Sequence, residues 1–290
     1  MIIARLEGGI GNQLFIYAAA RSLALRTGAE IKFDISNTFQ YSSYGHRYKL
    51  DEFNCVGTIA ERKETARFHP NSSSFRWCRR LDRRLPLRFR TIIEERSLFE
   101  PRLLTFRPRA LVYLVGYWQR EEYFRDYAVQ IHQELTFRKE HSPQNLALAE
   151  RMRQCESVFL HLRRIRYDHS LAATYYSAAL RMISERVQRP AVFVFGDDLE
   201  WAKRELSLPA GTQFVEHNGE ARDSEDLWLM TQCRHAIVAN SSFSWWAAWL
   251  NAEQNRTVIA PAVWGYRGAA ASGWLTVSAD RCGIAPGRSK

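Results

Sequence analysis

The sequence predicts an α/β protein of two Rossmann-like lobes facing a cleft, the C-terminal lobe a doubly wound parallel sheet. Three observations predict it. The chain opens strand, glycine turn, helix, strand. Its second half alternates short apolar runs with helix-period segments. Between the halves, residues 138–143 turn polar. At 290 residues with 46% hydrophobic side chains, the chain is long enough to bury two modest cores.

Taken in order, residues 2–6 are a short apolar run that reads as a strand. Gly8-Gly9-Ile10-Gly11-Asn12 reads as the turn, after which Phe15, Ala18, Ala19, Leu23 and Leu25 recur at near-helical spacing. Residues 29–34 resume a strand, completing a βαβ unit and hence predicting parallel pairing. Residues 36–108, rich in Arg, Ser, Phe and Tyr, carry no clear period. Residues 111–116 predict another strand, followed by Tyr117-Trp118-Gln119 and a helix over about 121–135. The polar stretch then divides an N-terminal lobe (1–140) from a C-terminal lobe (141–290). Strands are expected at 157–162, 191–195, 213–215, 236–239 and 258–260, and helices at 175–187, 199–206, 225–233 and 243–251. This is the alternation of a doubly wound domain.

Composition excludes several classes. The longest apolar run, residues 110–118, is far short of the roughly 18 residues a membrane-spanning helix requires. Residues 1–7 lack the basic start and apolar stretch of a signal peptide, which points to a cytoplasmic protein. Cys55, Cys78, Cys155, Cys233 and Cys282 are scattered without a CxxC pair, as expected of reduced thiols and not of a disulfide framework or a cysteine-held zinc. There is no GxxxxGK[ST], HExxH or GxSxG motif. No DxD-type spacing is evident, so no metal is expected to hold a nucleotide diphosphate. The net charge of +10 is concentrated: Arg76, Arg79, Arg80, Arg83, Arg84, Arg88 and Arg90 crowd one window with Trp77 and Phe89. Such a patch suits nucleic acid, an anionic membrane or a phosphorylated substrate, or is simply a solvated basic helix.

Ligands of open α/β sheets sit beyond the carboxyl ends of strands, where helix N-termini present N–H groups. Four segments place unusual residues there. Gly8, Gly9 and Gly11, with Asn12, allow close backbone approach. His161-Leu162-Arg163-Arg164 puts two guanidinium forks at a strand end, a geometry suited to a diphosphate; His161 and Arg163 should share one face. Asp197-Asp198 follows the next strand and suits ribose hydroxyls or a base edge, or merely caps the helix at Leu199. Asn240-Ser241-Ser242-Phe243 joins a strand to a helix and can cradle phosphate with hydroxyls and a helix start.

Gly8-Gly9-Ile10-Gly11-Asn12-Gln13-Leu14-Phe15-Ile16-Tyr17, Gly116-Tyr117-Trp118-Gln119, His161-Leu162-Arg163-Arg164 and the run Ala239-Asn240-Ser241-Ser242-Phe243-Ser244-Trp245-Trp246 resemble glycosyltransferase family 11, the α-1,2-fucosyltransferases, in the family's order from residue 2 to about 262. The resemblance implies a GT-B-like architecture and inverting, metal-independent transfer of L-fucose from GDP-fucose, usually to the 2-hydroxyl of a terminal galactose, with no cofactor. It places the essential arginine at Arg163, with Arg164 beside it. His161 and Asp198 fall at guanosine contacts, Asn240, Ser241, Ser242 and Phe243 at the phosphate loop, and Gly9, Gly11 and Asn12 at a donor-side turn. Tyr117, Trp118 and Gln119 are expected to meet acceptor sugar, unless Trp118 packs in the core. The family usually writes HxRRxDY, but Arg166 stands at the acidic position here; Asp168 lies two residues later. Asp168 and His169 are the nearest acid–base candidates. A bacterial enzyme of surface-polysaccharide assembly fits, with the arginine cluster resting on an inner membrane face or a lipid-linked acceptor. The rival readings are a nucleotide-sugar-binding homologue impaired by Arg166, and a basic nucleic-acid-binding protein, although no familiar nucleic-acid-binding motif is present.

Overall fold

The computed structural model describes residues 1–36, 39, 45–69, 72–82, 84–95, 99–108, 110–165, 167, 169–219, 222–264 and 268–278. Its chain divides into two compact units, Met1–Lys139 and Glu140–Lys290.

The first unit comprises β1 (Ile2–Arg5), α1 (Ile10–Thr27), β2 (Ile31–Asp34), β3 (Thr58–Ile59), α2 (Arg62–Thr65), α3 (Ser73–Asp82), β4 (Ile92–Glu94), β5 (Val112–Val115) and α4 (Ala128–Glu134). The strands pair in the order β3-β2-β1-β5-β4, every pairing parallel. Helix α1 is buried on most of its circumference, from Ile10 through Ala24. Its small residues Ala18, Ala19 and Ala20 let it lie close to its neighbours. It ends because Gly28 adopts φ +67° and returns its N–H to Ala24 O, a left-handed cap that costs glycine no Cβ clash. The Tyr17 hydroxyl donates to Glu134 at 2.5 Å, and Arg21 pairs with the same carboxylate at 2.7 Å, tying α1 to α4.

Two expectations for this unit are corrected. The helix begins at Ile10, so the turn is Gly8-Gly9 alone and Ile10, Gly11 and Asn12 are its first residues. The helix expected over 121–135 is confined to Ala128–Glu134, preceded by two 3-10 turns. Phe124, at φ −136° and ψ 3°, leaves helical geometry because its ring is buried against Phe15.

The second unit contains α5 (Pro143–Arg153), β6 (Ser157–Leu162), α6 (Ala173–Ser184), β7 (Ala191–Gly196), α7 (Leu199–Glu205), β8 (Gln213–Phe214), α8 (Asp223–Thr231), β9 (His235–Ile237), α9 (Ser242–Leu250), β10 (Val258–Pro261) and β11 (Leu275–Val277). The sheet order is β11-β10-β9-β6-β7-β8, again parallel throughout. Alternate residues Val158, Leu160 and Leu162 of β6 and Val192 and Val194 of β7 pack on Tyr175, Ala179 and Ile183 of α6, as the two-residue period of a strand requires. Helix α5, unforeseen in the polar junction, starts where Ser142 accepts the Asn145 N–H at 3.2 Å and Pro143 occupies the first turn. The strand expected at 236–239 ends at Ile237, and β11 was not expected.

The second unit's sheet is laid outward from its first strand and then reverses: β7 and β8 are added on one side of β6, and β9, β10 and β11 on the other, so the reversal lies between β6 and β9. In the first unit the chain passes from the edge strand β3 to the opposite edge at β4 and returns to set β5 beside β1. A switch point such as that between β6 and β9 leaves a crevice beyond the strand ends where ligands bind.

Candidate functional site

In the second unit the predicted motifs flank the switch point. Strand β6 ends in His161-Leu162 and pairs with β7 in the register His161↔Phe195 and Leu162↔Gly196. The next residues along, Arg163-Arg164 and Asp197-Asp198, therefore emerge side by side. That approach depends on Gly196, at φ +149°, where an added Cβ would lie 2.6 Å from both the Cβ and the carbonyl oxygen of Leu162. The Asp197 carboxylate accepts from Arg163 Nη1 at 2.9 Å, the Arg164 backbone N–H at 2.8 Å and the Ile165 N–H at 3.2 Å.

The two arginines are held differently. Arg164 is embedded: its guanidinium lies 3.7 Å above the Trp201 ring centroid, Nη1 donates to Leu171 O at 3.1 Å, and Nε stands 3.5 Å from Asp198. Arg163 has its guanidinium 5.8 Å from the Tyr167 ring centroid, and among the described residues only its Nη1 donates a hydrogen bond. A guanidinium has five N–H donors, so most of this fork remains to grip an anion. Asp198 caps α7 by accepting the Trp201 N–H at 3.1 Å, so the helix-cap alternative is realised.

His161 is buried beside Phe243, with ring centroids 5.4 Å apart. Burial, with the Arg163 charge adding to it, pushes its pKa down from 6.5 to about 3, so the imidazole is neutral at physiological pH. Its Nδ1 has no hydrogen-bond partner among the described residues, an unmet demand of the kind a ligand satisfies.

Across the switch point, the segment after β9 is tied to the segment after β6. Tyr167 donates its hydroxyl to Asn240 O at 2.5 Å, and Asn240 Nδ2 donates to His169 O at 3.4 Å. Ser241 caps α9 by accepting the Phe243 N–H at 3.3 Å, and Ser244 Oγ accepts the Ala239 N–H at 3.1 Å. The structure thus gathers His161, Arg163, His169, Asn240, Ser241 and Phe243, with Ser242 opening α9, a helix N-terminus that favours negative charge. Arg166 and Asp168 lie outside the described residues. Among the described residues no group of three His, Cys, Asp or Glu is disposed to hold a metal ion.

In the first unit the ends of the neighbouring strands β1 and β5 meet at Asn12. Its Oδ1 accepts from Gln119 Nε2 at 2.8 Å, joining the glycine turn after β1 to the segment after β5. Gly8, at φ +76°, has no room for a side chain, because a Cβ would lie 2.4 Å from Asn12 Nδ2. Gly9 is the residue before α1, and Gly11 is buried in its first turn. Glu95, beyond β4, accepts the backbone N–H groups of Tyr117 and Trp118, both at 3.0 Å. Trp118 is not an acceptor platform: it is 0% exposed and its ring stands edge-on to Tyr123 at 5.3 Å. Its φ of +54° turns the side chain into the core; Tyr117 and Gln119 are half-buried.

Sequence reasoning assigned Asp197 to ligand contact, where the structure makes it an organiser of Arg163, and it overlooked Tyr167 and Glu95. Asp197 was legible in principle, since aligning the ends of two neighbouring parallel strands sets an acidic pair opposite a basic pair. A further carboxyl, the half-buried Asp226, accepts from Asn218 at 2.7 Å, and desolvation raises its pKa from 3.8 to about 6.

Residues 100–266 match the family described as glycosyl transferase family 11. An Escherichia coli alpha-1,2-colitosyltransferase is 29% identical, over 91% of this chain and 92% of its own. An O-antigen biosynthesis glycosyltransferase of Escherichia coli, WbnK, is 29% identical over 89% and 93%. Human galactoside alpha-(1,2)-fucosyltransferase 1 is 30% identical over 27% of this chain and 22% of its own. The crystal structure of NodZ alpha-1,6-fucosyltransferase soaked with GDP-fucose matches with a TM-score of 0.55 at 18% identity, covering 86% of this chain and 91% of that one. A GDP complex of an Arabidopsis thaliana FUT1 mutant matches at 0.53 and 12%, covering 92% and 71%. At these identities the structures establish a shared fold, the two-sheet architecture of GT-B-like fucosyltransferases.

Proposed function

The chain belongs to glycosyl transferase family 11, and from that premise we propose that it transfers L-fucose from GDP-fucose to the 2-hydroxyl of a terminal galactose. The acceptor is a glycan of bacterial surface-polysaccharide synthesis, and the transfer is inverting and needs no metal. The observation that carries this reading is Arg163: a guanidinium at the sheet's switch point, fixed through one nitrogen by Asp197 and otherwise open to an anion.

In this reading the donor pyrophosphate lies against Arg163 and the start of α9 at Ser241, Ser242 and Phe243. Neutral His161 offers its ring nitrogen to the nucleoside. The acceptor oxygen attacks the anomeric carbon from the face opposite GDP, the bond to the diphosphate breaks, and its electron pair stays on GDP. Arg163 stabilises that developing charge, a role worth about 3–4 kcal/mol where comparable donors have been removed. The hydroxyl proton passes to Asp168 or His169, or to water late in the step. Tyr117 and Gln119 form the acceptor side, and Asn12, which accepts the Gln119 amide, belongs to the donor-side turn.

The similarity to a colitosyltransferase along nearly the whole chain favours a second donor, GDP-colitose, whose sugar is fucose without its 3-hydroxyl. GDP release from either donor is measured with galactose-ended oligosaccharides in EDTA, for the native chain and Arg163→Ala. Acceptor-dependent release that survives EDTA and falls at least about hundredfold in the variant supports the reading, with linkage analysis testing the 1,2 bond. Preference between the donors decides fucose against colitose. GDP binding without turnover on either donor would favour the impaired homologue, and no GDP binding would overturn the reading altogether.

A further inference from the structure

Helix α3 has two faces of opposite purpose. Inward, Phe75 joins Ile3, Phe68, Ile92 and Tyr113 in a buried cluster. Asp82 accepts the backbone N–H groups of Thr91 at 2.9 Å and Ile92 at 2.6 Å, and Arg79 pairs with Glu94. These anchors leave no freedom in which side faces out. The outward side carries Arg76 and Arg80 one turn apart, and Trp77 and Leu81 one turn apart beside them, all exposed. Trp77 is 67% exposed, an unusual position for so large an apolar ring.

The same alternation continues past the helix. Leu85 and Phe89 are exposed, and Arg88 lies 4.8 Å over the Phe89 ring centroid. Among the described residues Arg76, Arg80, Arg84 and Arg88 have no carboxylate partner, in contrast to Arg79. A solvated basic helix would not leave Trp, two Leu and Phe exposed in the same strip. A nucleic-acid surface would use the arginines but gain little from the leucines. Apolar side chains interleaved with unpaired arginines match one environment: the headgroup boundary of an anionic bilayer, where Trp sits at the interface and Arg meets phosphate.

We propose that the outward face of α3 and the segment to Phe89 dock the protein on an anionic phospholipid surface, with Trp77, Leu81, Leu85 and Phe89 inserted and Arg76, Arg80, Arg84 and Arg88 on the phosphates. This mode of attachment is peripheral; no helix among the described residues is long and apolar enough to cross a membrane. It stands independently of which sugar is transferred.

The test is flotation of the whole chain with vesicles of phosphatidylcholine alone and of phosphatidylcholine with about one third phosphatidylglycerol. Partition onto the anionic vesicles is expected to exceed that onto the neutral ones by at least about tenfold. Each arginine near such a surface contributes about fivefold, so Arg76→Gln, Arg80→Gln and Arg84→Gln together should weaken binding on the order of a hundredfold. An equal charge removal elsewhere, Arg151→Gln, Arg186→Gln and Arg204→Gln, should leave most of it. Quenching by bromolipid should fall in Trp77→Phe relative to the native chain. These residues are exposed, so melting should not change, and a variant that melts early is replaced by Trp77→Ser alone. The proposal is overturned by equal binding to neutral vesicles, or by equal losses from the two arginine triples. It is also overturned if the native chain ignores vesicles but shifts RNA or dimerises through Trp77.

Discussion

Replacing Gly196 by alanine tests whether the close approach of two strand ends builds the anion site. The added methyl meets Leu162 twice at 2.6 Å, once at a backbone oxygen that cannot swing away, and φ is +149°. The backbone strain is worth about 1–3 kcal/mol and the overpacking about 1–3 kcal/mol, so about 2–6 kcal/mol is expected. Gly211→Ala is the control: its φ is +81° but nothing lies within 4 Å of the new Cβ, leaving only a backbone cost of about 1–2 kcal/mol. Local stability is read by hydrogen exchange of the β6 and β7 amides, and GDP affinity by calorimetry. Because relief of the clash must move β7 from β6, Asp197 should lose its grip on Arg163, and GDP affinity should fall about tenfold or more in Gly196→Ala alone. If the two substitutions cost the same and neither alters GDP binding, the reasoning fails.

Three further outcomes follow from the geometry. Asp197→Asn keeps the side-chain shape but turns an acceptor into a donor facing Arg163 or Ile165, so GDP binding should weaken about tenfold by calorimetry; unchanged affinity would show that Asp197 does not orient Arg163. Trp118→Phe should lower stability by about 1–3 kcal/mol and leave the acceptor KM unchanged, whereas a raised KM with unaltered melting would put that ring at the acceptor. The third concerns pH. His161, held at about 3 in the fold against 6.5 ordinarily, makes stability fall as pH drops below 6.5, because the unfolded chain then binds the extra proton. Asp226, held at about 6 against 3.8, contributes stability that is full below 3.8 and lost as pH rises to 6. Between pH 4 and 6 the two slopes, each at most about 1.4 kcal/mol per pH unit, oppose one another. Asp226→Asn should therefore lose about 2–3 kcal/mol more than the native chain between pH 6 and pH 4 in urea denaturation; parallel curves would refute the assignment.

The alternation of apolar runs and helical periods made the second sheet legible because its strands are buried on both faces and read as continuous Val, Ile and Phe. It failed at β11, whose Leu275-Thr276-Val277 is partly exposed at the edge, and at α5, whose start was marked only by Ser142-Pro143. The interval 36–108 hid β3 and β4 because two- and three-residue strands are too short for any period to register. At the site, residue type pointed to the right strand ends, yet not to which partner each side chain takes. That depends on register, which sets Asp197 rather than Asp198 against Arg163, and on local backbone, whose φ of +54° at Trp118 sends that ring inward.

The two units solve one problem by the same device. A strand end that carries a motif can stay ordered only if its backbone N–H groups, no longer in the sheet, find acceptors. In the second unit the motif Arg163-Arg164 is held by Asp197, which emerges from the neighbouring strand β7. In the first unit Tyr117-Trp118 is held by Glu95, which emerges from the neighbouring strand β4. In each case a glycine removes the Cβ that would keep the two ends apart: Gly196 against Leu162, and Gly116, at φ +144°, against Glu95, whose Cβ would lie 2.5 Å away. The carboxylate holds the motif and the glycine sets its distance. A substitution of the glycine and a substitution of its carboxylate should therefore be less than additive within each unit, because either one alone releases the same backbone. Stability measured for Gly116→Ala, Glu95→Gln and the pair gives the coupling directly, and full additivity would separate the two roles.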